Sequence, residues 1–255
     1  MDNWRTAIAT SDDEHIWIRG YDVTALMTRS GFTQTIFLLH QGRLPTAGET
    51  RLLDAILVGV ADHGAGAPSC ATARLAASGN RQSLSAAVAA GILAIGDEHG
   101  GAGSACMEMI GAGVDLAARE SISLEDAAGR ICDEARAQKK RLPGLGHRIH
   151  SSDPRTGVLF AMARENGLAG KGIAFMEALE QCLRKAVKPL PINIDGALAG
   201  VLYDLGFPAP FGKLVFIIGR VAGLTAEVAE EYAREKAMRI RIPVTYDGAP
   251  PRELE

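Results

Sequence analysis

Three of the six histidines sit beside glycine. They are His63 in Asp62-His63-Gly64, His99 in Gly96-Asp97-Glu98-His99-Gly100-Gly101, and His147 in Pro143-Gly144-Leu145-Gly146-His147-Arg148. Bare neighbours leave an imidazole open to a ligand, although any one of them alone reads equally as a loop histidine with a local hydrogen bond. His99 stands just before an Ala-rich run through Cys106, Met107 and Ile110. A helix there would bring its positive dipole end to the imidazole and disfavour protonation. A neutral imidazole can donate a hydrogen bond to a developing enolate oxygen.

Arg220 lies inside the apolar run Leu214–Leu224, with Gly219 before it and Gly223 after. A buried guanidinium needs a carboxylate, from the protein or from a ligand. Asp195 is surrounded by apolar groups in Pro191-Ile192-Asn193-Ile194-Asp195-Gly196. Burial would raise its pKa and make it a better proton acceptor. It could equally cap the helix over 197–205, and the two roles are compatible. Arg155 follows Asp153-Pro154 and is placed to aim at a carboxylate near His147, whereas Arg74, in an Ala-rich helical stretch, is expected to pair internally.

The elements that must carry these groups are helical. Thr46 and Glu49 form a capping box ahead of Leu52, Leu53, Ile56, Leu57 and Val60. Leu84, Val88, Ile92 and Ile95 mark a helix whose other faces are mostly alanine, so it is expected to be buried nearly all round. Ser123 opens another, Asp153-Pro154 a fourth that Gly167 stops, and Ile173–Val187 a fifth. A long last helix is predicted from Gly212 towards Arg239. Strand-like alternation is confined to His15–Ile18, which suits a small hairpin. No alternating strand–helix pattern, dinucleotide fingerprint or P-loop occurs. The segment 138–146 is basic, then rich in Gly and Pro, as a ligand loop would be.

With 255 residues, 47% hydrophobic and 22% charged, the chain is globular in composition. A net charge of −3 and 5% aromatics give no field or stacking platform for nucleic acid. The four cysteines, Cys70, Cys106, Cys132 and Cys182, form no CxxC pair and read as small buried residues rather than metal ligands. Asp2, Arg5, Asp12, Asp13 and Glu14 interrupt any N-terminal apolar run, and no stretch suits a bilayer, so a cytoplasmic location is expected.

The constellation His63, His99, His147, Asp153-Pro154-Arg155, Asn193-Ile194-Asp195 and Gly219-Arg220 resembles the citrate synthase superfamily over nearly the whole chain. Ile18–Val23 and Leu38–Thr46 look like that family's N-terminal segments. The segment Gly91–Ala102 is most similar to the citryl-CoA lyase module of ATP-citrate lyase, although that module often lacks the histidine kept here. The resemblance implies an all-α fold of two domains with a cleft between them, taken as 1–103 with 208–255 for the large domain and 104–207 for the small one. It implies a homodimer or a dimer of dimers. It assigns Asp195 to the acetyl-CoA methyl proton, His99 to the thioester enolate oxygen, and His147 to the oxaloacetate ketone or citryl hydroxyl. His63, Arg155 and Arg220 match the carboxylate-binding set. Arg241 matches an arginine given across the dimer interface, although Arg241-Ile242-Pro243 departs from the family's Arg-Pro. Leu145 and Gly146 would lie along coenzyme A by resemblance, and Arg141 by its charge.

The expected activity is cleavage of (3S)-citryl-CoA, or a related 3-hydroxy polycarboxyl-CoA, to acetyl-CoA and oxaloacetate. One alternative is a citrate or 2-methylcitrate synthase that also releases free coenzyme A. Another is an inactive acyl-CoA-binding paralogue, although such a protein needs no proton acceptor. Neither a metal nor a resident cofactor is expected, because the coenzyme A thioester is a substrate.

Overall fold

The alternation at His15–Ile18 becomes the middle of a three-stranded antiparallel sheet, one strand more than a hairpin. The strands are β1 (Ala9–Ser11), β2 (Ile16–Ile18) and β3 (Tyr21–Asp22), in that order, with Trp17 opposite Thr10 and Asp22. The structure, a computed structural model, describes residues 3–146, 153–186 and 190–253, with backbone alone at 185 and 186. His147 lies outside the described residues.

Eleven helices follow the sheet among the described residues. They are α1 (Val23–Arg29), α2 (Phe32–Gln41), α3 (Ala47–Val60), α4 (Pro68–Gly79), α5 (Leu84–Leu93), α6 (Ala102–Glu120), α7 (Leu124–Ala137), α8 (Pro154–Glu165), α9 (Lys171–Ala186), α10 (Ile194–Asp204) and α11 (Phe211–Arg234). Their starts follow from short polar side chains. Thr46 and Glu49 close the capping box of α3, with Thr46 Oγ1 accepting from Glu49 N at 3.2 Å and Glu49 Oε2 accepting from Thr46 N at 2.7 Å. Ser123 caps α7, and Asp153 caps α8 with Pro154 at its first position.

Two expectations need correction. The last helix stops at Arg234, because Glu235 turns extended, and Arg239 lies beyond it on a tail. That tail is tied down by Met238 N donating to the Ser78 carbonyl and by Arg239 pairing with Glu231 at 2.6 Å. Helix α5 is not buried all round: only Ala87 and Gly91 are buried, while Leu84 is 59% and Leu93 85% exposed. An apolar face needs a partner, and nothing among the described residues covers that one.

Two clusters of buried side chains support the helices. The larger runs through α2, α3 and α6 to α11 and includes Phe37, Leu52, Ile56, Ile110, Phe175 and Phe216. The smaller joins α4, α5 and the second half of α11 through Ala67, Cys70, Ala73, Ala77, Ala87, Leu224 and Val228. Three of the four cysteines are buried as expected, and Cys182 is half-buried. No helix among the described residues is long and apolar enough to cross a membrane.

Candidate active site

Helix α10 starts where Asn193 Oδ1 accepts from Gly196 N at 3.1 Å. Asn193 is the cap, which leaves the neighbouring Asp195 carboxylate free of that task. Asp195 Oδ1 is closed from solvent and has no hydrogen-bond partner among the described residues. Burial pushes this carboxyl up to about 6, against the pull of Arg155 and Arg220 and with the help of Asp153. Its position is fixed by a close approach of two backbones. A Cβ on Gly144 would stand 2.6 Å from Gly196 Cα and 2.7 Å from Cys106 Sγ, and a Cβ on Gly196 would strike the Gly144 carbonyl. Gly144 also takes φ +78°, which side-chain-bearing residues rarely adopt. The 144–146 segment is laced to the α10 approach by three bonds. Gly146 N donates to the Pro191 carbonyl at 2.7 Å, Asn193 N to the Gly144 carbonyl at 3.1 Å, and Asn193 Nδ2 to the Gly146 carbonyl at 2.8 Å. Leu145 pairs with Ile192 in this arrangement, and Arg141, upstream, is exposed.

Arg220 is 2% exposed on α11. Its Nε donates to the Val60 carbonyl at 2.9 Å, its Nη1 donates to Ser69 Oγ at 3.0 Å, and its guanidinium lies 4.7 Å from the Phe216 ring centre. None of the ion pairs among the described residues involves it. Burial lowers its pKa, so the cation sits there at a cost that an incoming anion would relieve. This cation is desolvated and in no ion pair among the described residues, with Asp62 acting on it electrostatically, so a carboxylate could be received there.

Ser69, fully buried near the start of α4, links that cation to His99. Ser69 N donates to His99 Nε2 at 3.2 Å, and Ser69 Oγ lies 2.9 Å from the same nitrogen. A backbone N–H donates only to an unprotonated ring nitrogen, so this bond favours the tautomer with the proton on Nδ1. Arg220 donates to the same Ser69 Oγ, so one hydroxyl joins the cation to the ring. His99 is further held edge-on to Phe216, with ring centres 5.9 Å apart, and by backbone bonds to Gly96 in both directions, at 2.9 and 3.0 Å. Sequence reasoning passed over Ser69. Its only signal is a serine one place after Pro68 in an Ala-rich helix.

Arg155 is half-buried, and its fork is taken by Asp153: Nε donates to Oδ1 at 2.9 Å and Nη2 to Oδ2 at 2.8 Å, while Nη1 donates to the Gly59 carbonyl at 3.0 Å. Asp153, 2% exposed, also accepts from Ile194 N at 3.1 Å, so it fastens α8 to the start of α10. Arg74 pairs internally as expected, with Glu227, with Glu230 at 2.7 Å and with Glu231 at 3.1 Å. His63 is exposed just past the end of α3. Arg241 is exposed on the tail and makes no ion pair among the described residues. Asp195, Arg155 and Arg220 act on one another electrostatically, and His99 is joined to Arg220 through Ser69, whereas His63 and Arg241 have no bond to any of them among the described residues. Asp62, Cys70 and Glu227 could face a common ion, but Glu227 is already engaged by Arg74.

Comparison with known proteins shows the family of the chain. Residues 46–241 match the family defined by the C-terminal domain of citrate synthase. A citryl-CoA lyase from Hydrogenobacter thermophilus superposes with a TM-score of 0.90 at 41% identity, covering 99% of this chain and 97% of that one. Citrate synthase from Heyndrickxia coagulans is 29% identical over 223 residues, 86% of this chain and 56% of that protein. A 2-methylcitrate synthase from Shewanella oneidensis is 30% identical over 224 residues, with the same two coverages. The chain therefore spans little more than half the length of these curated relatives.

Proposed function

The chain belongs to the citrate synthase family, and from that premise we propose that it is a citryl-CoA lyase, cleaving (3S)-citryl-CoA or a related 3-hydroxy polycarboxyl-CoA to acetyl-CoA and oxaloacetate. The observation that carries this reading is Asp195, a buried carboxyl with an orphaned oxygen and a pKa raised to about 6. A group so poised carries a proton readily in either direction near neutral pH. The 41% identity to the Hydrogenobacter citryl-CoA lyase, against 29–30% to the two synthases, favours cleavage over synthesis.

The proposed chemistry runs as follows. Arg220 takes a substrate carboxylate as the anion it lacks, with Arg155, His63 and Arg241 of a second copy completing the set. His147 removes the proton of the citryl hydroxyl. The carbon–carbon bond then breaks, leaving a ketone and a thioester enolate. His99 donates from Nδ1 to the enolate oxygen, a contribution on the order of 3 kcal/mol to the barrier. Asp195 delivers its proton to the enolate carbon. Leu145 and Gly146 line coenzyme A, with Arg141 near its phosphates. The cycle needs no resident cofactor, because the thioester itself stabilises the carbanion. In the condensation direction the same Asp195 removes a methyl proton from acetyl-CoA.

The cleft would lie between a large domain, 1–103 with 208–255, and a small one, 104–207. A homodimer is supported by the charge-free helix α5, which exposes Leu84, Ala86, Ala89 and Leu93 beside Pro68, Ala71 and Leu75 of α4. Ile242, Val244 and Tyr246 on the tail, 66–84% exposed, would cover part of a second copy. A cytoplasmic location suits this metabolite chemistry.

Product analysis tests the reading. Citryl-CoA should yield acetyl-CoA and oxaloacetate, and acetyl-CoA with oxaloacetate should release little free thiol. Steady release of coenzyme A would identify a synthase instead. Binding of coenzyme A with no turnover of any such thioester would identify a silent relative.

A further inference from the structure

One side of α11 runs along the loop that carries His99. Lys213, Phe216 and Arg220 stand at i, i+3 and i+7 on that helix, so they share a face. Arg220 reaches His99 through the Ser69 hydroxyl. Phe216 meets the ring edge-on, and it lies so near Gly100 that a Cβ there would strike its ring. Lys213 spans the rest of the loop. Its stem passes over Gly101, where a Cβ would stand 2.6 Å from Lys213 Cε, and its ammonium donates to Asp97 Oδ1 at 2.8 Å.

The two ends of this loop are held unequally. Beyond Gly101 the chain enters α6, whose start is locked to α11. A Cβ on Gly103 would stand 2.9 Å from the Gly212 carbonyl oxygen, and Lys213 N donates to Ser104 Oγ at 2.9 Å. On the α5 side the loop is a tight turn. Gly96 and His99 bond each other's backbones, and Asp97 and Glu98 at the tip are exposed. Among the described residues, the Lys213 ammonium is the one side-chain group that bonds this tip to α11.

Lysine is also the wrong charge for its place. In the first turn of α11 it meets the positive end of the helix dipole. Asp97 offsets that cost, and the Lys213 ammonium in turn holds the Asp97 carboxyl below the usual carboxylate range. With Asp97 91% exposed, such a pair adds little to the stability of the fold. What it sets is where the turn rests, and His99 closes that turn two residues after Asp97. We propose that Lys213 is a positioning residue: through Asp97 it draws the 96–101 turn onto α11 and keeps the His99 ring seated on Ser69 during turnover. The effect on turnover rests on the lyase reading, while the placement of the turn does not.

The test compares the full chain with Lys213→Met, Asp97→Ala and the double variant. Methionine keeps an apolar stem over Gly101 and removes only the charged head. Each single variant should lower kcat for citryl-CoA about three- to fivefold, the population change that one exposed ion pair can bring, while KM moves by less than about twofold. The double variant should be no slower than either single one, because the two side chains act through each other. The urea midpoint should stay at the wild-type value in all three. Unchanged kcat in the single variants, a loss confined to KM, multiplied losses in the double variant, or a loss that follows a lowered midpoint would overturn the proposal. Should the chain turn over no such thioester, the lyase reading falls and hydrogen exchange judges the turn. Faster exchange of the Gly96 and His99 amides in Lys213→Met, with the remaining helices unchanged, supports the placement, and unchanged exchange rejects it.

Discussion

The two cores are built from different stock, and the candidate site draws on both. The larger uses Phe, Leu, Ile and Met from eight helices and fills its own interior. The smaller uses mainly Ala, Cys and the single pair Leu224 and Val228, and brings α4 and α5 close together at the cost of volume. Asp195 and Arg155 are held from the side of the large core. His99 and Ser69 are held from the α4 side, and Arg220 reaches between them. Large side chains make a region that stands on its own. Small ones make a region whose outer face still seeks a neighbour, and α5 presents that face.

The sharpest break in this comparison should come from Asp195→Asn, with turnover falling more than about 1,000-fold while the fold persists. The pH test has a definite sign. The base form of a carboxyl with pKa about 6 grows as pH rises, so exchange of acetyl-CoA methyl protons into heavy water should climb through about pH 6 and level off. Stability runs the other way. The folded pKa lies above the usual 3.8, so the ionised carboxylate costs the fold progressively between those values and fully above about 6. The Asn variant should lose that dependence, as denaturant unfolding at pH 5 and pH 8 would reveal.

Next in size is Ile56→Ala in the large core, fully buried on α3. It should destabilise by about 3 kcal/mol in urea unfolding, because a methylene-rich cavity forms where neighbours cannot collapse. On the α4 side, Ser69→Ala keeps the N–H bond to His99 but removes the hydroxyl between that ring and Arg220. Turnover should drop about 10–100-fold with a change in unfolding midpoint smaller than that of Ile56→Ala. Equal losses in both would place Ser69 in packing alone. The smallest effect on stability belongs to Leu93→Glu, within about 0.5 kcal/mol for an exposed position. Its readout is sedimentation: a self-associating wild type and a monomeric variant would confirm what the α5 face is for, and identical profiles would deny it.

How much of this was legible beforehand depended on whether the cause was local. Helix starts at Thr46, Ser123 and Asp153 could be read because each side chain bonds its own backbone two or three residues on. The burial of Arg220 and Asp195 could be read from their neighbours: a cation in an apolar run, an acid among aliphatics. The covering of α5 could not be read, since hydrophobic spacing reports that a face wants burial and says nothing of which chain supplies it. The role of Ser69 was likewise hidden, because its partners stand 30 and 151 residues away. The helix end at Arg234 depends on the tail folding back to Ser78 and Glu231, which are also distant in sequence. Glu49 shows the opposite case. Its pairing with Arg43, six residues back, and the Thr46 cap hold its carboxyl down to about 2.

The contact of Gly144 with Gly196 has a consequence for how such a site can drift over generations. Charged residues that touch a ligand can be exchanged one at a time, each trading affinity or selectivity. Here two bare α-carbons set the seat of the acid, and even a methyl group at either would pry the loop from the helix. Variation in what the pocket accepts must therefore arise around this junction, because the junction itself has no spare room in which to vary.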